Sequence, residues 1–440
     1  MIKVTHITPH FGTGVGTVLR ELSKKFNLNY KNYKHKYLAL DFINKETKRF
    51  FKKNQISFEE NLFFKKKKLK DYVKQSDIIL IHWWNHPMLM EILANLDLPK
   101  NRLLIWSHIT GSIAPNCITK RIIQFSDFFI LSTPMFKSSR IYKNLNNNLK
   151  KKISTIWSTG GIERVKVHKK KKSKIKVIGY IGNLDFSKLH PNFVKMCASL
   201  KNKNVIFKVI GKKTGSLLNH QINKYQMNNR IIMEGYVSES KKWRLLSSFD
   251  IFGYPLARHH YGSCDQTIQE AMVAKVPVVA LNNSMEKYMI KDTKTGLIAN
   301  SESHYIKLIR KLINMNENKK NALILRAYNF AKDNYSIKKI THEWDLMFQK
   351  VLVTRKTKKF FFDSKLKPHN LYSKTLDDSC KYVIKFLDKK KVLNKDIEKV
   401  KKFCKTANWK SPTKSSPFHY QKLFPKNKRL NQLCEILKKN

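Results

Sequence analysis

Residues 259–286, HHYGSCDQTIQEAMVAKVPVVALNNSME, decide how the rest of the chain is read. They read as loop, helix, short turn, apolar strand and loop. Ser263 with Gln266 three residues on is a capping-box pattern, which starts a helix near Cys264. Ile268, Ala271 and Met272 share one face of that helix, while Thr267 and Glu270 lie three apart on another. Residues 277–281 form a compact apolar run of the kind buried in a parallel sheet. A helix N-terminus offers backbone N–H groups and partial positive charge to a phosphate. A carboxylate one turn further in accepts hydrogen bonds from sugar hydroxyls. The stretch therefore reads as a nucleotide-sugar site, although a lone Glu on a helix is more often merely solvated.

The same alternation extends in both directions. Apolar runs at 176–182, 205–211, 230–235, 250–256 and 295–299 are separated by helical patterns near 189–200 and 239–247. Upstream, runs at 3–8, 36–42, 55–59, 77–82, 102–108, 127–132 and 153–158 repeat the theme. Each apolar strand ends in polar or glycine residues. Strands alternating with helices predict an α/β protein with two Rossmann-like, doubly wound parallel sheets, whose ligands sit at strand carboxyl ends. His82, His108, Gly160 and Gly161 fall at such ends. His108 is weighed evenly between a structural role and a substrate contact, whereas His86, before Pro87, reads as structural. Residues 164–174 are basic, lack apolar periodicity and read as a linker. The expected organisation is an N-terminal domain at 1–165, a second at 175–335, a helix returning toward the first at 336–352, and a basic helical segment at 353–440.

The first strand runs into HFGTGVGTVLREL, where Gly12, Gly14 and Gly16 read as a glycine-rich loop before a helix. The spacing does not fit the dinucleotide fingerprint, since the third Gly comes too soon, and a plain tight turn explains it as well.

With 440 residues, 42% hydrophobic and 11% aromatic, the chain has ample material for two or three folded domains. No segment approaches the ~20 apolar residues of a membrane span, and no long apolar signal core opens the chain. A cytoplasmic location is expected. The formal net charge is +57, and lysine outnumbers arginine 75 to 13. Readers of specific nucleic-acid sequences lean on arginine, so no specific nucleic-acid partner is expected. A basic surface also attracts phosphorylated substrates and anionic lipid, so peripheral contact with the inner membrane face is an open reading. The basic helix expected over 63–74 carries that choice, between a solvated face and a membrane-contacting one. The six cysteines form no CxxC pair and read as reduced, structural thiols, with no metal site.

In this order the motifs resemble those of the retaining, GT-B-fold glycosyltransferases of family 4 (glycosyl transferases group 1). The resemblance covers roughly residues 1–352 and is strongest over 176–300. The N-terminal glycine loop corresponds to HFGTGVG, and the family's strand ending in a substrate-contacting His corresponds to His108. The family's G-R-L-x-x-x-K is met by Gly182-Asn183-Leu184-Asp185-Phe186-Ser187-Lys188. Its E-x7-E element ends in Glu270, followed by Ala271-Met272 and Pro277-Val278-Val279. Glu286 and Thr295-Gly296 match later landmarks.

The resemblance implies a role for each residue. Lys188 would neutralise the donor diphosphate as the leaving group gains charge. Glu270 would hold the ribose hydroxyls, and His108 would contact the transferred sugar. Gly182 and Asn183, with the backbone of Cys264, Asp265, Gln266 and Thr267, would line the donor phosphates. The donor would be UDP- or GDP-linked, the acceptor a glycan or lipid-linked glycan of surface polysaccharide synthesis, and no cofactor or metal is expected. Two departures stand out. Gly262 occupies the position of the first Glu of E-x7-E, and Asn183 replaces the family's Arg. Residues 261–266, YGSCDQ, resemble the Y-G-[ST]-C-D-Q of a subset of the family, which implies that the first departure is a subfamily feature. Together they also motivate an alternative, a catalytically silent GT-B scaffold that binds glycan or partners.

Overall fold

The computed structural model describes residues 1–170, 173–212, 217–283, 285–362, 364–413 and 415–439. Ser284 of the opening stretch and residues 171–172 of the expected linker lie outside them. The chain divides into two compact units, Met1–Gly160 with Ile340–Asn440, and Gly161–Lys339.

The first unit is built on seven parallel strands: Ile2–Thr8, Tyr33–Ala39, Ser57–Glu59, Ile78–Trp83, Leu103–Ser107, Phe128–Leu131 and Ile153–Thr155. Counted along the chain, their order in the sheet is 3-2-1-4-5-6-7. The second unit repeats the plan with Lys176–Ile181, Val205–Ile210, Ile231–Gly235, Ile251–Tyr254, Val278–Leu281 and Leu297–Ala299, all parallel and in the order 3-2-1-4-5-6. The α/β class expected from the alternation is what the chain adopts. Central strands such as Ile78–Trp83, Leu103–Ser107 and Val278–Leu281 are buried along their whole length, because helices cover both faces of such a sheet. In each sheet the order reverses between strands 1 and 4. The loops leaving those two strands diverge there and open a crevice at their carboxyl ends. In the second unit those loops are 182–188 and 255–265, the two stretches singled out from the sequence.

Helix Gln266–Val273 follows, and here the capping expectation is corrected. The N-cap is Asp265, not Ser263, and its carboxylate makes no capping hydrogen bond. It is drawn instead to the ammonium of Lys188, a stronger partner than a backbone N–H. At the far end Val276 N–H donates to Ala271 C=O and Lys275 N–H to Met272 C=O, which together close a Schellman motif. Lys275 takes the left-handed position of that motif, φ +60°, where a Gly is the unstrained choice.

The glycine stretch of the first unit also differs from expectation. Helix Thr13–Asn29 begins directly after Gly12, so Gly14 and Gly16 lie in its first turns rather than in a loop. Gly12 is tight against the His10 ring, Gly16 against the Phe11 carbonyl and Thr47, while a Cβ at Gly14 would meet open space. In helix Lys66–Gln75 the apolar Leu69 and Val73 are buried, so its apolar stripe faces the core; only Phe64, 81% exposed just before it, faces outward.

The helical segment after Leu352 is part of the first unit's core. Helices Pro368–Ser373, Lys381–Asp388, Asn394–Phe403, Pro417–Leu423 and Lys428–Lys438 bury Leu371, Tyr372, Phe386, Val400, Tyr420 and Leu433 in the same apolar cluster as Ile81, Leu89 and Ile92. Polar seams fix the join. Asn85 Nδ2 donates to the Cys117 and Thr375 carbonyls at 3.0 and 3.3 Å, and Tyr420 Oη donates to the Asn85 carbonyl at 3.2 Å. Residues 340–352 belong to the same unit, with Trp344 edge-on to Trp106 at 5.0 Å.

Candidate functional site

The crevice of the second sheet gathers Lys188, Asn183, Tyr261 and Asp265. Strand Lys176–Ile181 delivers the turn carrying Asn183 and Lys188, and the loop after Ile251–Tyr254 brings Tyr261 and Asp265 against it. Lys188 Nζ is ion-paired to Asp265 Oδ1 and lies 5.9 Å from the Tyr254 ring and 5.8 Å from the Tyr261 ring. Burial works against its charge, but the Asp265 carboxylate outweighs burial and holds its pKa above the ordinary lysine value. Lys188 is thus a fixed, desolvated cation. The second oxygen of Asp265, Oδ2, is buried without a hydrogen-bond partner among the described residues. Asn183 Nδ2 donates to Tyr261 Oη at 3.3 Å, and the Asn183 carbonyl accepts from Tyr180 Oη at 2.8 Å.

Glu270, 4% exposed, sits one turn into the helix. Its Oε1 accepts from Arg164 Nη2 at 2.9 Å, and Lys242 Nζ lies 3.1 Å from both oxygens. Both cations stack on Trp243, Lys242 at 3.8 Å and Arg164 at 5.2 Å from the ring centre. Burial pushes the Lys242 ammonium below its ordinary pKa, with Glu270 opposing. A carboxylate has about four acceptor positions, and the two cations use three, which leaves one for a ligand hydroxyl. Arg164 corrects the expected linker. It closes the short 3-10 turn Ile162–Arg164 and is fastened to Glu239 and Glu270. Sequence reading missed both cations of Glu270. The available signal for Arg164 was the scarcity of arginine in a lysine-rich chain, directly after a Gly-Gly pair at a strand end.

Gly262 explains how the loop does without the expected Glu. A Cβ there would come 3.0 Å from His260 Nδ1 and 3.1 Å from Asp265 Oδ2, so the space is taken. His260 Nδ1 accepts from the Gly262 N–H at 3.1 Å, which leaves the ring proton to Nε2, 2.9 Å from Glu286 Oε1. His260 and Glu286 are fully buried. His260, Asp265 and Glu286 place ligand atoms within 4.8 Å of one another, as do Cys117, Asp377 and Cys380 in the first unit. In the first set an ammonium already occupies the aspartate and the histidine proton faces the glutamate. Cys264 and Thr267 flank the helix start, Gly182 lies in the turn before Lys188, and Gln266 and Thr267 supply the first amides of the helix.

In the first unit His108 directly follows strand Leu103–Ser107. It ends a row of hydrogen-bonded imidazoles across neighbouring strands. His35 Nδ1 lies 2.8 Å from His6 Nε2, His6 Nδ1 lies 3.0 Å from His82 Nε2, and His82 Nδ1 lies 3.2 Å from His108 Nε2. Burial pushes all four below the ordinary histidine pKa, His35 and His108 to about 3. His86 accepts from the Met88 N–H and caps helix Pro87–Asn95, a structural role, with His419 edge-on at 4.6 Å.

A pH effect follows from that row. The folded rings stay neutral, while in the unfolded chain they titrate near 6.5. Between those values the unfolded state binds more protons, so stability is full above pH ~6.5 and is lost as pH falls toward 3. Each of the fully buried His6, His35 and His82 adds up to about 1.4 kcal/mol per pH unit. Urea unfolding of the first unit is expected at a clearly lower midpoint at pH 5.5 than at pH 7, and equal midpoints would contradict neutral burial.

Residues 162–330 match the family described as Glycosyl transferases group 1. No curated protein matches the sequence. Among solved structures the chain is similar to Anabaena HepE in complex with UDP and glucose, at 14% identity and TM-score 0.64, over 80% of this chain and 100% of that one. It is similar to sucrose-phosphate synthase from Thermosynechococcus elongatus at 11% identity and TM-score 0.62, over 80% and 99%. A variant of S. aureus TarM in complex with Fondaparinux, α-GlcNAc-glycerol and UDP aligns at 12% identity and TM-score 0.61, over 80% and 100%. At these identities the likeness speaks for the fold. The shared two-sheet fold and the family match to the second unit together support a GT-B glycosyltransferase.

Proposed function

We propose that the chain transfers a hexosyl group from a UDP- or GDP-linked donor to a glycan or lipid-linked acceptor, with retention at the anomeric carbon, in the synthesis of a surface polysaccharide. The observation that carries this reading is Lys188, a buried cation held at the switch point of the second sheet beside the start of helix Gln266–Val273. In the reaction Lys188 turns from Asp265 to the donor diphosphate. There it stabilises the charge that grows on the leaving phosphate, while the amides of Gln266 and Thr267 receive the same group. Glu270, oriented by Arg164 and Lys242, takes a ribose hydroxyl. His260 and Asp265, which fill the space at Gly262, face the transferred sugar. In the first unit His108, a neutral ring, takes a sugar hydroxyl. The reaction needs no metal, because Lys188 supplies the positive charge. HepE and TarM, of the same fold, are solved with UDP, and HepE with UDP-glucose, which favours UDP in the first trials.

The protein works in the cytoplasm, and its lysine-rich surface allows peripheral contact with anionic lipid. No described helix is long and apolar enough to cross a membrane.

The test is incubation with UDP-glucose, UDP-galactose, UDP-N-acetylglucosamine and GDP-mannose, with release of UDP or GDP as the readout. At least one donor is expected to be consumed, with the donor's anomeric configuration kept in the product. Arg164→Met is expected to weaken UDP binding about tenfold, about 1.4 kcal/mol, by leaving Glu270 with one orienting cation; unchanged affinity would remove Arg164 from the site.

A second reading, a silent scaffold, is favoured by Gly262 and Asn183 and by the closed Lys188–Asp265 pair. It predicts no thermal stabilisation by any nucleotide or nucleotide sugar, whereas a ligand at a hundred times its Kd adds about 2.7 kcal/mol.

A further inference from the structure

One cluster of reactive side chains takes no part in the chemistry above. Strands Ser112–Ile113 and Asn116–Cys117 form a short antiparallel hairpin that ends on Cys117. The 3-10 turn Asp378–Cys380, N-capped by Asp377, brings Cys380 against it from 263 residues further along the chain. Both segments belong to the first unit. Cys117 and Cys380 are fully buried, 1% and 0% exposed, while Asp377 is half-buried at the edge of the cluster. The same seam is tied by Asn85, which donates to the Cys117 and Thr375 carbonyls.

The two sulfurs lie 4.0 Å apart, and Asp377 Oδ1 lies 3.9 Å from the Cys380 sulfur. One ligand atom from each of the three residues falls within 4.8 Å of the others. Zinc bonds a thiolate at about 2.3 Å and a carboxylate oxygen at about 2.0–2.2 Å. In a tetrahedron those bonds set two sulfurs about 3.8 Å apart, and sulfur and oxygen about 3.5–3.7 Å apart. Both measured separations therefore need to close by only about 0.2–0.4 Å. A disulfide would need the sulfurs to close by about 2 Å. The carboxylate is also held in place, as metal-binding carboxylates are: the Ser379 N–H donates to Asp377 Oδ1 at 2.9 Å, and the Ser379 hydroxyl donates to the same oxygen.

We propose that Cys117, Cys380 and Asp377 bind one zinc ion as a structural site, with both thiols giving their protons to solvent and a water entering past Asp377 taking the fourth position. Two thiolates select such a thiophilic cation over magnesium or calcium. The ion joins the hairpin that follows strand Leu103–Ser107 to the turn that opens helix Lys381–Asp388. It thus clamps the C-terminal helices to the sheet they cover. Only the folded chain brings the three ligands together, so binding adds directly to the stability of the first unit. The site takes no part in glycosyl transfer and stands whether or not that reading holds.

The full chain, stripped with a chelator under a phosphine reductant and titrated with zinc chloride alone, is expected to bind one zinc per chain. At saturation its thermal midpoint is expected to rise by about 5 °C or more. X-ray absorption at the zinc edge is expected to show two sulfur ligands at about 2.3 Å. Cys117→Ser and Cys380→Ser are each expected to weaken zinc binding about a hundredfold or more. Cys197→Ser and Glu286→Gln, both in the second unit, are expected to keep the wild-type zinc affinity. No zinc uptake, a ligand shell of nitrogen and oxygen only, equal affinity in Cys117→Ser, or loss of zinc in Cys197→Ser would overturn the proposal. A thermal midpoint unmoved at saturation would remove the structural role. Should the serine variants not fold, the ligand shell of the wild type still decides. A Cys117–Cys380 disulfide formed with hydrogen peroxide, in a chain that takes up no zinc when reduced, would also overturn the site and leave a redox pair in its place.

Discussion

A chain ending at Leu352 is expected not to fold its first unit. Helix Pro87–Asn95, with the sequence PMLMEILAN, buries Pro87, Leu89, Met90, Ile92 and Leu93, so it is apolar nearly all round. Such a helix needs cover on two sides. One side is the sheet; the other is provided by helices Pro368–Ser373 and Pro417–Leu423, which pack directly on it. Sixteen side chains beyond residue 352 belong to the same buried cluster, among them Phe361, Trp409 and Leu437. Exposing even the five buried residues of helix Pro87–Asn95, at roughly 1.5 kcal/mol or more each, matches the whole net stability of about 5–15 kcal/mol of an ordinary domain. The opened Asn85 seam adds unpaired polar groups. The truncated chain is expected to aggregate or to lose its near-UV circular dichroism and cooperative unfolding. A soluble 1–352 chain with a urea midpoint equal to that of the full chain would show that the segment is dispensable.

Lys188→Met is expected to lower kcat by about 10²-fold or more, the usual loss when one preorganised charge leaves a developing anion. The same change leaves Asp265 as a buried carboxylate without its cation, which costs about 3–5 kcal/mol of stability. The two effects separate in the pair Lys188→Met with Asp265→Asn. The double variant should recover most of the thermal stability, since the stranded charge is gone, yet remain as slow as the single variant. Turnover close to wild type in either protein would take Lys188 out of the chemistry. A single variant as stable as wild type would mean that Asp265 has another partner.

Much of this architecture was legible because it rests on local pattern. The apolar runs at 77–82, 176–182 and 277–281 are buried central strands, and burial on both faces is what makes a run uniformly apolar. Placing Gly182 to Lys188 and the 259–286 stretch at strand ends was enough to bring Lys188 and Asp265 to one crevice, because sheet order dictates which loops diverge. Whatever depended on partners distant in sequence was not legible. Ser263 looked like the cap, but Asp265 takes that position and spends its carboxylate on a lysine 77 residues away. Arg164 looked like linker because its partner Glu270 lies 106 residues on. The imidazole row joins His6, His35 and His82 on three strands with His108 just after a fourth, and only strand register makes them neighbours. Residues 353–440 carry no strand alternation, and only the all-round apolarity of residues 87–95 signalled that a further layer was needed.

The central claim is that the second unit binds a nucleoside diphosphate through Lys188 and Glu270. Calorimetric titration of UDP, then GDP, into the full chain and into Lys188→Met and Glu270→Ala tests it most directly. The account predicts one site per chain for at least one of the two nucleotides, with affinity reduced about tenfold or more in each variant, about 1.4 kcal/mol. No binding of either nucleotide by the wild-type chain, or equal affinity in all three proteins, would contradict it.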